Sequence, residues 1–131
     1  MSKIRVLVVD DSHLTQKVLT RILTEDEKIE VAGVAGDAFS AEEKIRELKP
    51  DVITLDIEMP GMNGLEFLEH FKKMYSIPVV VVSTWGDKGS DKANLALSLG
   101  AFEVIKKPTS GDEINEIGKQ IADAVKRSVK S

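Results

Sequence analysis

The sequence predicts a soluble α/β domain: a doubly wound, five-stranded parallel sheet with helices on both faces. Three observations carry the prediction. Five short apolar runs alternate with five amphipathic stretches along the chain, the pattern of repeated βα units. The apolar runs are nearly continuous in Val, Ile and Leu rather than alternating, as in strands covered on both faces. The length, 131 residues, suits one domain with its own core, and a single domain is expected over 1–131.

In chain order, the first strand is read at Ile4–Val9, "IRVLVV". A helix follows, with Leu14, Val18 and Ile22 recurring at i, i+4 and i+8 and Ser12 as its N-cap. The second strand is Ile29–Ala35, "IEVAGVA", and the second helix carries Ala41, Ile45 and Leu48 and is stopped by Pro50. The third strand, "VITL" at Val52–Leu55, runs into a turn shaped by Pro60, Gly61 and Gly64. The third helix presents Leu65, Phe67, Leu68, Phe71 and Met74. The fourth strand is Pro78–Ser83, and its helix carries Ala93, Ala96, Leu97 and Leu99, closed by Gly100. The fifth strand is Phe102–Lys106. The last helix shows Ile114, Ile117, Ile121 and Val125, and Lys126, Arg127 and Lys130 suit the dipole at its end. The chain shows no internal repeat and no low-complexity tract.

Composition narrows the function. A net charge of −4 and a sequence pI of about 5.2 lack the basic footprint of a nucleic-acid binder, so direct nucleic-acid binding is not expected. There is no cysteine, which removes disulfides, thiol catalysis and Cys-ligated zinc and suits a cytoplasmic protein. His13 and His70 lie 57 residues apart in different predicted helices, far from a zinc-ligand spacing, and His13 reads as a surface helix residue. No apolar run approaches the roughly 18 residues of a membrane span, so membrane insertion is not expected. The N-terminal run is too short for a signal peptide and is read as the first strand.

In a parallel sheet every strand's C-terminal end lies on one edge, where open α/β sheets bind their ligands. The residues there are polar. Asp10 and Asp11 follow the first strand, Asp56 the third, Ser83 ends the fourth, and Lys106, Lys107 and Pro108 follow the fifth. A lone Asp after a strand is usually a cap or turn residue; several carboxylates, a hydroxyl and an ammonium converging on one edge are not. Carboxylates packed within a few ångströms repel by several kcal/mol per close pair at an effective dielectric of about 20. A bound Mg²⁺ relieves that cost, since it takes one or two carboxylates and leaves room for phosphate oxygens. Lys107 and Ser83 are placed to hold further phosphoryl oxygens, and a carboxylate there can serve as a nucleophile toward phosphorus.

The motifs "VLVVDDS" (Val6–Ser12), "PDVITLDIEMPGMNG" (Pro50–Gly64), "VVVVST" (Val79–Thr84) and "GAFEVIKKP" (Gly100–Pro108) together resemble the receiver domain of bacterial two-component response regulators, the flavodoxin-like CheY fold. The resemblance covers about Lys3 to Val129. It implies strand order 2-1-3-4-5 and a phosphorylation switch: a histidine kinase, of the CheA type given the motifs, would donate a phosphoryl group to Asp56 with Mg²⁺, and partner binding by a downstream protein would change. By the same resemblance Asp11 is a direct metal ligand, Asp10 acts through coordinated water, and Glu58 contributes its backbone carbonyl. Ser83 matches the switch hydroxyl, Thr84 and the Glu58 side chain neighbour the phosphate, and Lys107 matches the invariant lysine, joined to Pro108 by a cis bond. Catalysis would be confined to the domain's own phosphotransfer and autodephosphorylation.

Within receivers, "DIEMPGMNGLEFL", "VVSTW" and "KKPTSGDEI" look most like those of the chemotaxis methylesterase CheB; a stand-alone receiver and the receiver portion of a longer chain both fit. One position departs from the family. Where receivers carry Tyr or Phe three residues before the lysine, this chain has Val104, which cannot swing as a ring does. Strand alternation would put Phe102 on the face of Val104, and Trp85, two residues after Ser83, is a candidate substitute readout residue, the alternative being an exposed loop aromatic or a partner contact. The departure keeps a second reading open, a receiver-like binding module that works without phosphorylation. Phosphatases of the haloacid-dehalogenase type need D-x-D after the first strand, and nucleotide or FMN sites need a phosphate-binding loop there; "DDS" offers neither.

Overall fold

The computed structural model describes residues 3–58, 64–84, 90–108 and 110–130. The elements run β1 (Ile4–Val9), α1 (His13–Thr24), β2 (Ile29–Ala35), α2 (Ala38–Leu48), β3 (Val52–Leu55), α3 (Gly64–Met74), β4 (Val79–Ser83), α4 (Asp91–Ser98), β5 (Glu103–Lys106) and α5 (Gly111–Lys130). The five strands form one parallel sheet in the order β2-β1-β3-β4-β5.

Successive side chains of a strand point to opposite faces, and here both faces are cores. Leu7, Val9, Ile53, Leu55, Val79, Val81 and Val104 pack under α2, α3 and α4, against Ile45, Phe67, Leu68, Phe71 and Ala96. Val6, Val8, Val52, Val80, Val82 and Ile105 pack under α1 and α5, against Leu19, Leu23, Ile117, Ile121 and Val125. This is why β1, β3 and β4 read as nearly continuous apolar runs.

Helices α1, α2 and α4 start on side-chain caps. Ser12, Asp37 and Ser90 accept hydrogen bonds from the backbone N–H of Thr15, Ser40 and Ala93 at 3.2, 2.7 and 3.1 Å, each satisfying a donor that the first turn leaves without a helical partner. α2 ends on Lys49 in the left-handed region (φ 48°), one residue before Pro50. Gly64 begins α3 against Ile57: a Cβ there would lie 2.3 Å from the Ile57 Cα and 2.4 Å from its carbonyl oxygen. Only glycine allows β3's exit and α3's entry to touch.

Several expectations are corrected. In α1 the buried residues are Gln16, Leu19, Ile22 and Leu23, while Leu14 is 73% exposed. A strict four-residue repeat advances about 40° per step around a 3.6-residue helix, so Leu14 and Ile22 lie on different faces and Leu19 and Leu23 complete the stripe. Met74 and Leu97 are exposed rather than core. β4 and β5 each begin one residue later than expected, at Val79 and Glu103. Because Phe102 precedes β5, strand alternation does not govern it. It packs against the α1/α5 core, under the Arg127 guanidinium 5.7 Å from its ring centre, whereas Val104 is buried on the opposite face. No cis peptide bond occurs among the described residues, so Lys107–Pro108 is trans, the form an X–Pro bond favours by about 0.5–1 kcal/mol unless its surroundings reverse it. Pro60 and Gly61 lie outside the described residues.

Candidate functional site

The C-terminal ends of β1, β3, β4 and β5 meet at one edge, and each delivers polar residues to it. Asp10 and Asp56 directly follow β1 and β3. The Asp10 N–H donates to the Ala35 carbonyl and the Asp56 N–H to the Val9 carbonyl, both at 2.9 Å, so the ladder still holds both backbones as the strands end. Both aspartates then make the same local turn. Asp10 Oδ1 accepts from the Ser12 N–H and Asp56 Oδ1 from the Glu58 N–H, each at 2.9 Å, the Asx geometry in which a side chain replaces a backbone acceptor two residues on. One oxygen of each carboxylate is thereby fixed, and the second is aimed into the site.

Lys107 receives those second oxygens. Its Nζ donates to Asp56 Oδ2 at 2.9 Å and forms an ion pair with Asp10 Oδ2 at the same distance. The approach to Asp10 lacks hydrogen-bond alignment, and Asp10 Oδ2 is left as a buried oxygen with no hydrogen-bond partner. Asp10 and Asp56 are 1% and 3% exposed. Burial pushes the Asp10 carboxyl above its usual range, against the Ser12 N–H and Lys107, which pull it down. Burial alone would lower the Lys107 ammonium, but the bonds to Asp56 and Asp10 outweigh it and hold its pKa above the ordinary lysine value.

Asp10, Asp11 and Asp56 bring carboxylate oxygens within 4.8 Å of one another, with Asp11 exposed. The three aspartates of this cluster against Lys107 leave it a formal charge of −2. An all-oxygen donor set and uncompensated negative charge together fit a hard divalent cation. Ser83, fully buried, closes the far side. Its carbonyl accepts from the Lys107 N–H at 2.9 Å, and its hydroxyl donates to Glu58 Oε1 at 2.8 Å. Thr84 Oγ1 reaches both oxygens of the same carboxylate, at 2.7 and 2.6 Å.

Asp10, Asp11, Asp56, Glu58, Ser83, Thr84 and Lys107 are thus brought to one edge. Val104 is buried at 8% exposure beneath α4, and His13 is exposed on α1. Trp85 lies outside the described residues. Sequence reasoning missed Gln16, whose Nε2 donates to the Asp10 carbonyl at 2.6 Å; a polar residue inside an otherwise apolar helical stripe was the available signal. It also assigned the Glu58 side chain no partner.

A family model of the response regulator receiver domain matches residues 6–119. The chain belongs to this family. Among curated relatives, a protein-glutamate methylesterase/protein-glutamine glutaminase of Hydrogenovibrio crunogenus is 44% identical over 98% of this chain. The receiver spans only 36% of that relative's length. Among solved structures, the response regulator domain of Thermotoga maritima CheB superposes with a TM-score of 0.90 at 37% identity, covering 98% of both chains. A structure of the CheA3 P1 domain in complex with CheY6 from R. sphaeroides matches with a TM-score of 0.83 at 28% identity over the whole of both chains. The receiver fold and the likeness to the CheB receiver read from the motifs are both borne out. No helix among the described residues is long and apolar enough to cross a membrane.

Proposed function

We propose that this receiver is a phosphorylation switch of a chemotaxis-type two-component system, in the cytoplasm, with Asp56 as phosphoacceptor. One observation carries the reading: a partly buried lysine ammonium 2.9 Å from each of two buried strand-end carboxylates, at an edge that still carries excess negative charge. The likeness to the CheB receiver and to the structure holding a CheA P1 domain supports a histidine kinase as donor. In the transfer an Asp56 carboxylate oxygen attacks phosphorus, the P–N bond of the donor phosphohistidine breaks, and imidazole leaves with its electron pair. The Lys107 ammonium would pass from Asp56 to a phosphoryl oxygen, so its charge is placed before the reaction begins. Asp10, Asp11, Asp56 and the Glu58 backbone carbonyl would hold Mg²⁺, Asp10 through coordinated water, and the ion supplies charge neutralisation for the incoming phosphoryl oxygens. Ser83 would bond the phosphoryl group once formed, and a downstream protein would read the change.

The test is labelling with acetyl phosphate in the presence of Mg²⁺. Asp56→Asn keeps the size and much of the hydrogen bonding of the side chain and should abolish labelling. Retained labelling would remove Asp56 from this role.

A further inference from the structure

We propose that the Glu58 carboxylate is a latch, which holds the Ser83 and Thr84 hydroxyls away from Asp56 until a phosphoryl group displaces it. The proposal rests on the phosphoreceiver reading and adds regulation to the same site. Ser83 Oγ donates a hydrogen bond to Glu58 Oε1 at 2.8 Å, and Thr84 Oγ1 sits 2.7 and 2.6 Å from the two carboxylate oxygens. A hydroxyl has one proton to donate. While Ser83 donates to Glu58, it cannot donate to a phosphoryl oxygen. Both are bonds to an ionised acceptor, stronger than those between neutral groups.

The two sides of the latch differ in burial. Ser83 is fully buried, whereas Glu58 is exposed. Glu58 can therefore return its charge to water on release, while the Ser83 hydroxyl has to find its next acceptor inside the site. Glu58 is also tethered beside the reacting carboxylate, since its N–H donates to Asp56 Oδ1 at 2.9 Å. A phosphoryl group on Asp56 would bring a second anion to the hydroxyls that Glu58 occupies, and the two anions repel. Closed, the latch ties the turn after β3 to the end of β4. The end of β4 is in turn joined to β5 through Ser83 paired with Lys106 and through the Lys107 N–H on the Ser83 carbonyl. Opening it would free the end of β4 at the moment Asp56 is modified.

Beryllofluoride, a phosphoryl mimic, titrated calorimetrically in saturating Mg²⁺ tests this. Glu58→Ala should bind it about tenfold more tightly than the parent chain, and Glu58→Gln, which keeps an acceptor without the charge, should fall between. In a Ser83→Ala/Thr84→Ala background the gain from Glu58→Ala should shrink to less than about threefold, because no hydroxyl remains to compete for. An undiminished gain there would mean bare charge repulsion and would overturn the latch. Parent binding with no gain from Glu58→Ala would overturn the latch and leave the phosphoreceiver reading standing. If the parent chain binds no better than Asp56→Asn, both fall together.

Discussion

Replacing Asp11 by asparagine should make the metal-free protein more stable. Asp11 brings a carboxylate oxygen within 4.8 Å of those of Asp10 and Asp56. Because Asp11 is exposed, water is the fitting dielectric for its interactions, and each repulsion at that distance is then about 0.9 kcal/mol. Two such pairs amount to about 1.7 kcal/mol. Part of this is offset by attraction to positive charge that the same substitution removes, so the expected gain is about 1 kcal/mol. An unfolding entropy of about 2.1 cal/mol/K per residue over this length converts 1 kcal/mol into roughly 3–4 °C of Tm. Scanning calorimetry in EDTA should therefore place Asp11→Asn about 3–4 °C above the parent, and 1 M NaCl, with a Debye length of about 3 Å, should shrink the difference. Mg²⁺ should stabilise the parent by linkage, by about 1.4 kcal/mol at ten times its Kd, and the variant much less. A variant that melts below the parent in EDTA, or that gains as much from Mg²⁺, would refute the crowded-carboxylate account.

Two further perturbations test the frame that holds the site. Gly64→Ala would force a Cβ to within 2.3 Å of the Ile57 backbone, which no side-chain rotation relieves, so urea unfolding should show a loss of about 3 kcal/mol; a change within about 0.5 kcal/mol would mean the contact is not constraining. Asp26 carries the pH dependence of the α1–α5 contact: its bond to Lys126 at 2.6 Å, then the Lys28 N–H, hold its carboxyl below the ordinary 3.8. A depressed folded pKa gives stability that is present above the unfolded value and lost as pH falls through the folded one. Lys126→Met should cost about 0.5–1 kcal/mol at pH 7, within the range of partly exposed ion pairs, and the deficit should fade as pH drops below about 4; a deficit that persists in acid would assign it to packing.

The parts of this fold that were legible in the sequence are those set by burial and periodicity. Val6–Val9 and Val79–Val82 could be placed because both faces of a central strand are apolar, and because short, valine-rich runs favour a buried strand over a buried helix segment. Asp10, Asp56 and Ser83 could be placed at one edge because parallel strands share a direction. What remained hidden depended on geometry finer than a period. Leu14 was taken as core because a four-residue repeat and a 3.6-residue helix agree over one turn and diverge over two. Phe102 was put on the wrong face because the alternation argument holds only inside a strand, and β5 begins one residue later. Gln16 was passed over because its burial follows from the Asp10 carbonyl beside it, a contact that spacing does not encode.

Glu58 shows where sequence reasoning stops for the site itself. Its position two residues after Asp56 places its N–H within reach of Asp56 Oδ1, since an Asx turn is a local matter. Its carboxylate, by contrast, is satisfied by β4, 25 and 26 residues away. That pairing exists because β3 and β4 are hydrogen-bonded neighbours in register, Leu55 opposite Val81, and because β4 runs two residues past that pair, to Ser83. A slip of one residue would turn Ser83 to the other face of the sheet and leave Glu58 without its buried donor. The partner of the Glu58 side chain is therefore a consequence of register between two strands. The Ser83 hydroxyl proposed to bond a phosphoryl group on Asp56 is one of the two that this register delivers to Glu58.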